Sequence, residues 1–290
     1  MNEPKIFKNL ETYDNLCKII LDNPTVNDRK LPYYITKNQN LELVKEYLGE
    51  EDISTKFLFE KLLKEKKIRI DKRINTQFNR KNNKIYVNHT RTIDDSFSLV
   101  HEFTHFLLNK ENREKIYHLF SEVFPYTEES KFYDYITKNS DSKIKSAANI
   151  QMINNSKLNM ALANDAKCEL NLYENYKRNN GLDFDNLNLK TYNYLYGSRH
   201  KYSKPYIDEY GRYMFGIIMG IYLNNKIRNK EISRGDYKVL KNFINTISIK
   251  GINELLDLDM SLDDGLYISD DSIEKINKVY KLEVKNYNEK

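Results

Sequence analysis

Two histidines four positions apart, with a glutamate directly after the first, are the residues of this chain best suited by type and spacing to do chemistry. They lie in the stretch SFSLVHEFTHFLL as His101, Glu102 and His105. In an α-helix, side chains at i and i+4 share one face about one turn apart, so both imidazoles can reach a single metal ion. Glu102 points close to the same side, where it can act on a water without being a ligand. The pattern predicts one Zn²⁺ per chain and is typical of a zinc hydrolase.

The residues around the motif favour a helix. Phe97, Val100 and Phe103 recur at three-to-four spacing and give the segment a buried face. Thr92 and Asp95 precede the apolar run and form a candidate capping box. The alternative is two polar histidines on an ordinary helix, since a short motif also arises by chance in a chain with five histidines. The helical context favours the metal site.

The composition predicts a mostly α-helical (α+β) fold. The chain has 290 residues but only 9 glycines and 5 prolines, and its apolar residues recur at helical spacing. We expect an N-terminal helical segment, residues 1–80, with helices near 5–21, 41–48 and 57–63. This segment should pack on a catalytic domain formed by residues 81–290. Residues 137–199 are interpreted as polar helices and loops that form a surface connection.

The charge and the cysteines narrow the possible partners and compartments. The net charge of +5 is spread along the chain, so no nucleic-acid partner is indicated. Cys17 and Cys168 cannot make a disulfide framework, which is typical of a reducing compartment. The apolar run at 214–223 is too short for a bilayer, and the N-terminus lacks the apolar core of a secretory signal. We expect a cytoplasmic protein without a membrane partner; the sequence does not predict its oligomeric state.

A short strand is predicted just before the motif helix. In the stretch IYVNH, Ile85 and Val87 alternate with polar residues. In zinc peptidases such a strand lies along the cleft, and its exposed edge pairs with extended substrate. His89, at the end of the strand, is interpreted either as a substrate contact or as a structural histidine.

The third metal ligand should follow the motif helix, because catalytic zinc keeps three protein ligands and one open position. A second apolar-periodic run covers residues 116–135 and contains Glu122 and Glu129, which lie 17 and 24 positions after His105. Spacing alone does not choose between them. His118 is a conceivable fourth nitrogen, but a fourth protein ligand would close the site. We therefore place His118 on the outer helix face.

Two longer stretches resemble one family. The segments IYVNHTRTIDDSFSLVHEFTH and SEVFPYTEESKFYDYI resemble the oligoendopeptidase F and thimet oligopeptidase family of HExxH zinc peptidases, which are gluzincins. The resemblance implies a zincin-like catalytic domain with a small β element at the cleft edge. In the family's second motif the first glutamate binds zinc and a supporting one follows seven positions later. These positions correspond to Glu122 and Glu129, so the resemblance implies that Glu129 orients a ligating imidazole. Thr104 replaces the family's usual glycine.

A third stretch, HKYSKPYIDEYGRY, contains a histidine followed by several tyrosines. In a chain with 23 tyrosines such a cluster also arises from ordinary packing. The family, however, has a histidine and tyrosines at similar spacing that face the zinc and bind the carbonyl oxygen of the scissile bond. The resemblance therefore implies catalytic roles for His200, Tyr206 and Tyr210.

The resemblance covers about residues 70–285, in segments, and describes a compact form that lacks most of the family's N-terminal half. It implies a zinc-dependent metalloendopeptidase, oligopeptidase-like, that hydrolyses internal bonds of a peptide or protein substrate with Glu102 as general base. Two alternatives remain. One is a specialised protease for a single protein partner, and the other is a non-catalytic binding module with a residual zinc site.

Overall fold

Helices dominate the structure, which confirms the prediction of a mostly α-helical protein. The computed structural model describes residues 5–25, 34–108, 115–183, 186–197, 207–244 and 246–289. Within these ranges the helices are α1 (Leu10–Leu21), α2 (Lys37–Glu51), α3 (Ile53–Lys64), α4 (Asp94–Leu107), α5 (Lys115–Phe120), α6 (Val123–Asn139), α7 (Ser142–Asn179), α8 (Leu189–Gly197), α9 (Ile207–Arg228), α10 (Arg234–Phe243), α11 (Ile249–Leu256) and α12 (Asp270–Glu289). The strands are β1 (Ile68–Asp71), β2 (Gln77–Asn79), β3 (Lys84–Asn88), β4 (Met260–Ser261) and β5 (Tyr267–Ile268).

The three predicted N-terminal helices are confirmed as α1, α2 and α3, and each begins at a capping side chain. Asn9 accepts hydrogen bonds from the first turn of α1. Thr36 and Gln39 form a capping box at the start of α2. Asp52 caps α3 through the backbone N–H of Ser54. Such caps satisfy the orphan N–H groups of the first turn.

The predicted strand at 84–88 exists, but its place in the sheet differs from the expectation. β3 is the central strand, parallel to β1 on one side and antiparallel to β2 on the other. It therefore has no exposed edge for substrate, and the edge next to the motif helix belongs to β2. β1 and β2 have only four and three residues, too few for a clear alternation. The sheet contains strands from both sides of residue 80. The expected division into two parts at that residue stays a prediction.

Two hydrophobic cores lie side by side. The first contains α1, α5, the start of α6 with Phe124, and α9 to α12. The second contains α2, α3, the three-stranded sheet, α4 and the later part of α6 with Phe132. α7 contributes to both, with Ala148 in the second core and Ala166 in the first. The two helices that bracket the site, α4 and α9, thus belong to different cores.

The interpretation of residues 137–199 as a surface connection was wrong. α7 is a 38-residue helix in this range, and it buries Ala147, Ala148, Ile153 and Ala163. Its buried residues range from alanine to leucine and tyrosine and are set among Asn and Lys, so its apolar periodicity is weak. This explains why the pattern indicated a polar segment.

The most continuous apolar run of the sequence lies within α9. Residues 214–223 of this helix are buried in the first core. Over the ranges that the structure describes, no helix has the length and apolar character needed to cross a membrane.

Candidate metal centre

α4 carries the HExxH motif as predicted. His101 and His105 lie one turn apart, and their Nε2 atoms are 3.2 Å from each other. Val100 and Phe103 face the second core and fix the rotation of the helix. Thr104, at the position where the resembling family usually has glycine, is buried and donates its hydroxyl to the carbonyl of Val100 at 2.8 Å. The hydroxyl is therefore satisfied within its own helix.

Glu122 completes a group of three potential ligands. It lies directly before the first residue of α6, and its Oε2 is 3.5 Å from His101 Nε2 and 3.4 Å from His105 Nε2. The three side chains form a group of His, Cys, Asp or Glu residues that can hold a metal ion. Glu122 Oε2 is buried without a hydrogen-bond partner among the described residues. Buried carboxylate oxygens are normally paired, so this atom indicates a position for a cation.

Glu129 contacts the other nitrogen of His101. It lies two turns further along α6, and its Oε1 is 2.5 Å from His101 Nδ1. This bond leaves Nε2 facing His105 and Glu122. Spacing had left Glu122 and Glu129 as alternatives for the third ligand. Their placement corresponds to the pair of roles that the resemblance implied, with one carboxylate beside both Nε2 atoms and the other orienting an imidazole.

Two glycines of α9 allow α6 to bring Glu122 to the histidines. A Cβ at Gly216 would overlap the Cβ of Glu122. A Cβ at Gly220, one turn later, would lie 2.6 Å from Tyr126 Cβ and 2.9 Å from the backbone nitrogen of Thr127. Helices approach this closely only where side chains are absent. The sequence of α9 therefore sets the position of a candidate ligand that lies on another helix.

Arg212 lies on the other side of the Glu122 carboxylate. Its Nε is 3.9 Å from Glu122 Oε1, and it has no hydrogen-bond partner among the described residues. Burial opposes ionisation of Glu122, but the neighbouring imidazoles of His101 and His105 outweigh it and lower the pKa of the carboxyl far below its ordinary value. Glu122 is therefore ionised at neutral pH, as a ligand must be.

His101 lies in a strongly acidic environment. Burial alone would lower its pKa, but the neighbouring carboxylates of Glu122 and Glu129, together with the charge of Glu102, raise it well above the ordinary value. The carboxylates around this imidazole thus favour a positive charge at the centre. A divalent cation bound at Nε2 can supply that charge in place of a proton.

Glu102 is directed toward the edge strand. It is 8% exposed, and its Oε2 accepts a hydrogen bond from the backbone N–H of Phe78 in β2 at 2.5 Å. Phe78 also packs edge-on against Phe106 of α4. The unpaired edge of β2, rather than β3, therefore lies beside the candidate base.

The predicted capping box of Thr92 and Asp95 was wrong. α4 begins after Ile93 without a side-chain cap. The fully buried Asp95 instead accepts hydrogen bonds from the N–H and hydroxyl of Thr90 and lies 2.6 Å from His89 Nδ1. Of the two interpretations of His89, this contact supports the structural one, because it ties the end of β3 to the start of the motif helix.

The structure describes only one of the three residues, His200, Tyr206 and Tyr210, for which the resemblance implied catalytic roles. His200 and Tyr206 lie outside the described residues. Tyr210 is described, and its hydroxyl is 3.1 Å from that of Tyr194, which donates to Glu169. These contacts are not with the candidate ligands. His118, the conceivable fourth nitrogen, lies on α5 and is not part of the ligand group.

Two other tyrosines lie close to the site and were not predicted. The ring of Tyr126 packs edge-on against His101 with centroids 5.1 Å apart. Burial, followed by Glu129, raises the pKa of Tyr126, and burial, followed by Glu122, raises that of Tyr213. Both hydroxyls therefore stay protonated at neutral pH and can donate hydrogen bonds. Tyr213 belongs to the cluster after His200, whereas no sequence signal marked Tyr126 or Arg212.

Comparison with models of protein families, with curated proteins and with solved structures gave no match. Interpretation of the site therefore depends on its own geometry and on the motifs of the sequence.

Proposed function

We propose that this chain is a zinc-dependent metalloendopeptidase that hydrolyses internal bonds of peptide or protein substrates. The observation that carries the proposal is the triangle formed by His101 Nε2, His105 Nε2 and Glu122 Oε2, with sides of 3.2, 3.4 and 3.5 Å. Bonds to zinc of about 2.0–2.2 Å at tetrahedral angles place neighbouring ligand atoms roughly 3.3 Å apart. The three atoms thus have the separation of three ligands around one tetrahedral Zn²⁺.

Each of the surrounding residues has a definite role in this proposal. When bound, Zn²⁺ lowers the pKa of water and polarises the substrate carbonyl. Glu102 accepts the proton of the attacking water and delivers it to the leaving amine. Glu129 accepts a hydrogen bond from the Nδ1–H of His101, which leaves the lone pair of Nε2 available to a metal ion. Extended substrate backbone pairs with the edge of β2.

We assign the oxyanion donors to tyrosines near the candidate ligands. Tyr126 and Tyr213 are candidates within the described residues, because both hydroxyls keep their protons and both are influenced by Glu122. The roles of His200 and Tyr206 stay predictions from the resemblance. A donor of this kind typically contributes about 10²–10³-fold to the rate.

Zinc content and peptide cleavage together test the proposal. Elemental analysis of the wild-type chain should find one zinc, and a quenched-peptide library should be cut in a chelator-sensitive way. Glu102→Gln should keep its zinc and cut at least about 10²-fold more slowly. Glu122→Gln should lose the zinc, and Glu129→Gln should bind it about 10- to 100-fold more weakly. Glu274→Gln, an exposed change on α12, serves as the control.

The outcomes separate the alternatives. A Glu102→Gln protein that holds zinc and cuts peptides at the wild-type rate would sink the assignment of the base. Zinc without cleavage of any library peptide would favour a specialised protease for one protein partner. A chain that neither binds zinc nor cuts peptides would favour a binding module.

A further inference from the structure

A cavity of about 230 Å³ opens beside the candidate metal centre. His101 and Glu102 form part of its wall, so a side chain that enters it belongs to a substrate residue next to the bond being cut. The cavity follows one face of α4, because Asp94, Ser98 and His101 recur at intervals of four and three residues and all line it. Asp94, the first residue of α4, lies two turns from His101, or roughly 10 Å along the helix axis.

The wall of the cavity combines apolar surface with carboxylates. Phe97, Tyr126 and Leu158 supply apolar surface. The charged groups in the described lining, apart from His101, are the carboxylates of Asp94, Glu102 and Glu129, and no lysine or arginine lines it among the described residues. Glu129 contacts His101, and Glu102 contacts Phe78. Asp94 is therefore the carboxylate of this wall that neither contacts a candidate ligand nor serves as the candidate base.

Asp94 is held in place but is not neutralised. Gln151, which is 4% exposed, donates its amide to Asp94 Oδ1 and to Asn155 Oδ1, both at 2.8 Å. Burial, followed by the charges of Asp95 and Glu129, raises the pKa of Asp94 to about 6. The Asp94 carboxylate is thus ionised at neutral pH in a position that disfavours its charge. An incoming cation would offset that cost.

We infer that this cavity binds a lysine or arginine side chain of the substrate residue next to the scissile bond, with Asp94 as the group that selects it. The inference rests on the proposed peptidase function and adds the class of substrate. A long basic side chain matches the lining, since its methylene stem packs on Phe97 and Leu158 while its charged end reaches a carboxylate.

Peptides that differ only in charge test the inference. Arginine and citrulline have nearly the same shape but differ in charge. For each side of the bond that is cut, one peptide carries arginine at the adjacent position and its pair carries citrulline there. We expect kcat/KM to be roughly 10- to 100-fold higher for the arginine peptide. In Asp94→Asn the ratio of kcat/KM for the arginine peptide to kcat/KM for the citrulline peptide should fall to near unity. Asp270→Asn, the same change at the first residue of α12, is the matched control.

A binding measurement makes the result independent of turnover. The zinc-loaded Glu102→Gln protein should bind the arginine peptide more tightly than the citrulline peptide, and adding Asp94→Asn should remove the difference. Equal binding of the two peptides, or a preference that persists without the Asp94 carboxylate, would overturn the inference. Preferential binding of arginine without cleavage would support the cavity's selectivity and contradict only the peptidase function.

Discussion

Asp94 and Asp95 are adjacent on α4 but have different environments. Asp95 is fully buried and receives hydrogen bonds from the Thr90 N–H and hydroxyl. Asp94 receives one side-chain hydrogen bond, from Gln151, and faces the cavity. The two adjacent carboxylates therefore differ in role. Asp95 ties the end of β3 to the start of α4, whereas burial disfavours the charge of Asp94.

The unfavourable ionisation of the buried Asp94 carboxyl predicts that the free energy of unfolding depends on pH. Its folded-state pKa of about 6 lies above its ordinary value of 3.8, so the ionised form destabilises the fold above pH 6. The cost disappears as the pH falls through 6 toward 4. Asp94→Asn should therefore raise the free energy of unfolding by about 2–3 kcal/mol at pH 7.5, with no gain near pH 4. Urea unfolding across this range, with chelator present, measures the difference.

The control for this titration is Asp270→Asn, because Asp270 occupies the same helix position but is exposed. That variant should follow the wild type at every pH. A stability gain in Asp94→Asn of equal size at pH 4 and pH 7.5 would contradict the assigned cause, since a packing effect does not titrate.

Residues whose geometry follows from one helix could be predicted from spacing. Spacing did not choose between Glu122 and Glu129, and it did not mark Tyr126 or Arg212. His101, Glu102 and His105 follow from i, i+4 spacing alone. The placement of Tyr126 and Arg212 depends on how α6 crosses α9, which no local pattern encodes.

The crossing of α6 and α9 is the contact between elements on which the candidate metal centre most depends. Gly216→Ala would drive a methyl group into Glu122. We expect a loss of about 1–3 kcal/mol in stability from overpacking. We also expect zinc binding to weaken about 10- to 100-fold, comparable with losing a group that orients a ligand. Competition with a fluorescent zinc chelator measures the affinity.

Gly220→Ala is the matched control on the same helix. Its new methyl group meets Tyr126 and Thr127 rather than Glu122, so the stability should fall by a similar amount. Zinc affinity should stay within a few-fold of the wild type. If both variants lose zinc equally, the affinity depends on the general approach of the helices and not on the position of Glu122.

Elements with a clear apolar periodicity were predicted better than very short or mostly polar ones. α1 to α4 and β3 have clear periodicity, and the structure confirms them. The run at 116–135 is instead two helices, α5 and α6, with Glu122 at the break between them. β1 and β2 are too short to show alternation, and the buried residues of α7 are interspersed with Asn and Lys. The edge strand was therefore missed because of its length. Helices were expected within 137–199, but the burial of α7 was missed because of its polar composition.

At the scale of the whole molecule, the three candidate ligands come from helices of both cores. The histidines lie on α4 in the second core, and Glu122 lies at the end of α6 that packs in the first core against α9. A metal ion bound by all three residues would therefore link the two hydrophobic cores. Free zinc at 100 times its Kd should stabilise the fold by about 2.7 kcal/mol. For a chain of this size that corresponds to a rise in Tm of roughly 5 °C.

Calorimetry with zinc and with chelator measures this shift. Glu122→Gln should abolish it, because the remaining pair of histidines lies on one helix and does not link the cores. Glu274→Gln should retain it. A shift of full size in Glu122→Gln would place the stabilising ion elsewhere in the molecule.

α7 has a further consequence for how the molecule unfolds. Its 38 residues extend about 57 Å, and its two halves bury Ala148 in one core and Ala166 in the other. If either core came apart, half of this helix would lose its apolar cover while its backbone still continued into the intact part. We therefore expect the loss of structure in one core to spread through α7 to the other core. The two cores should then unfold cooperatively, in a single transition.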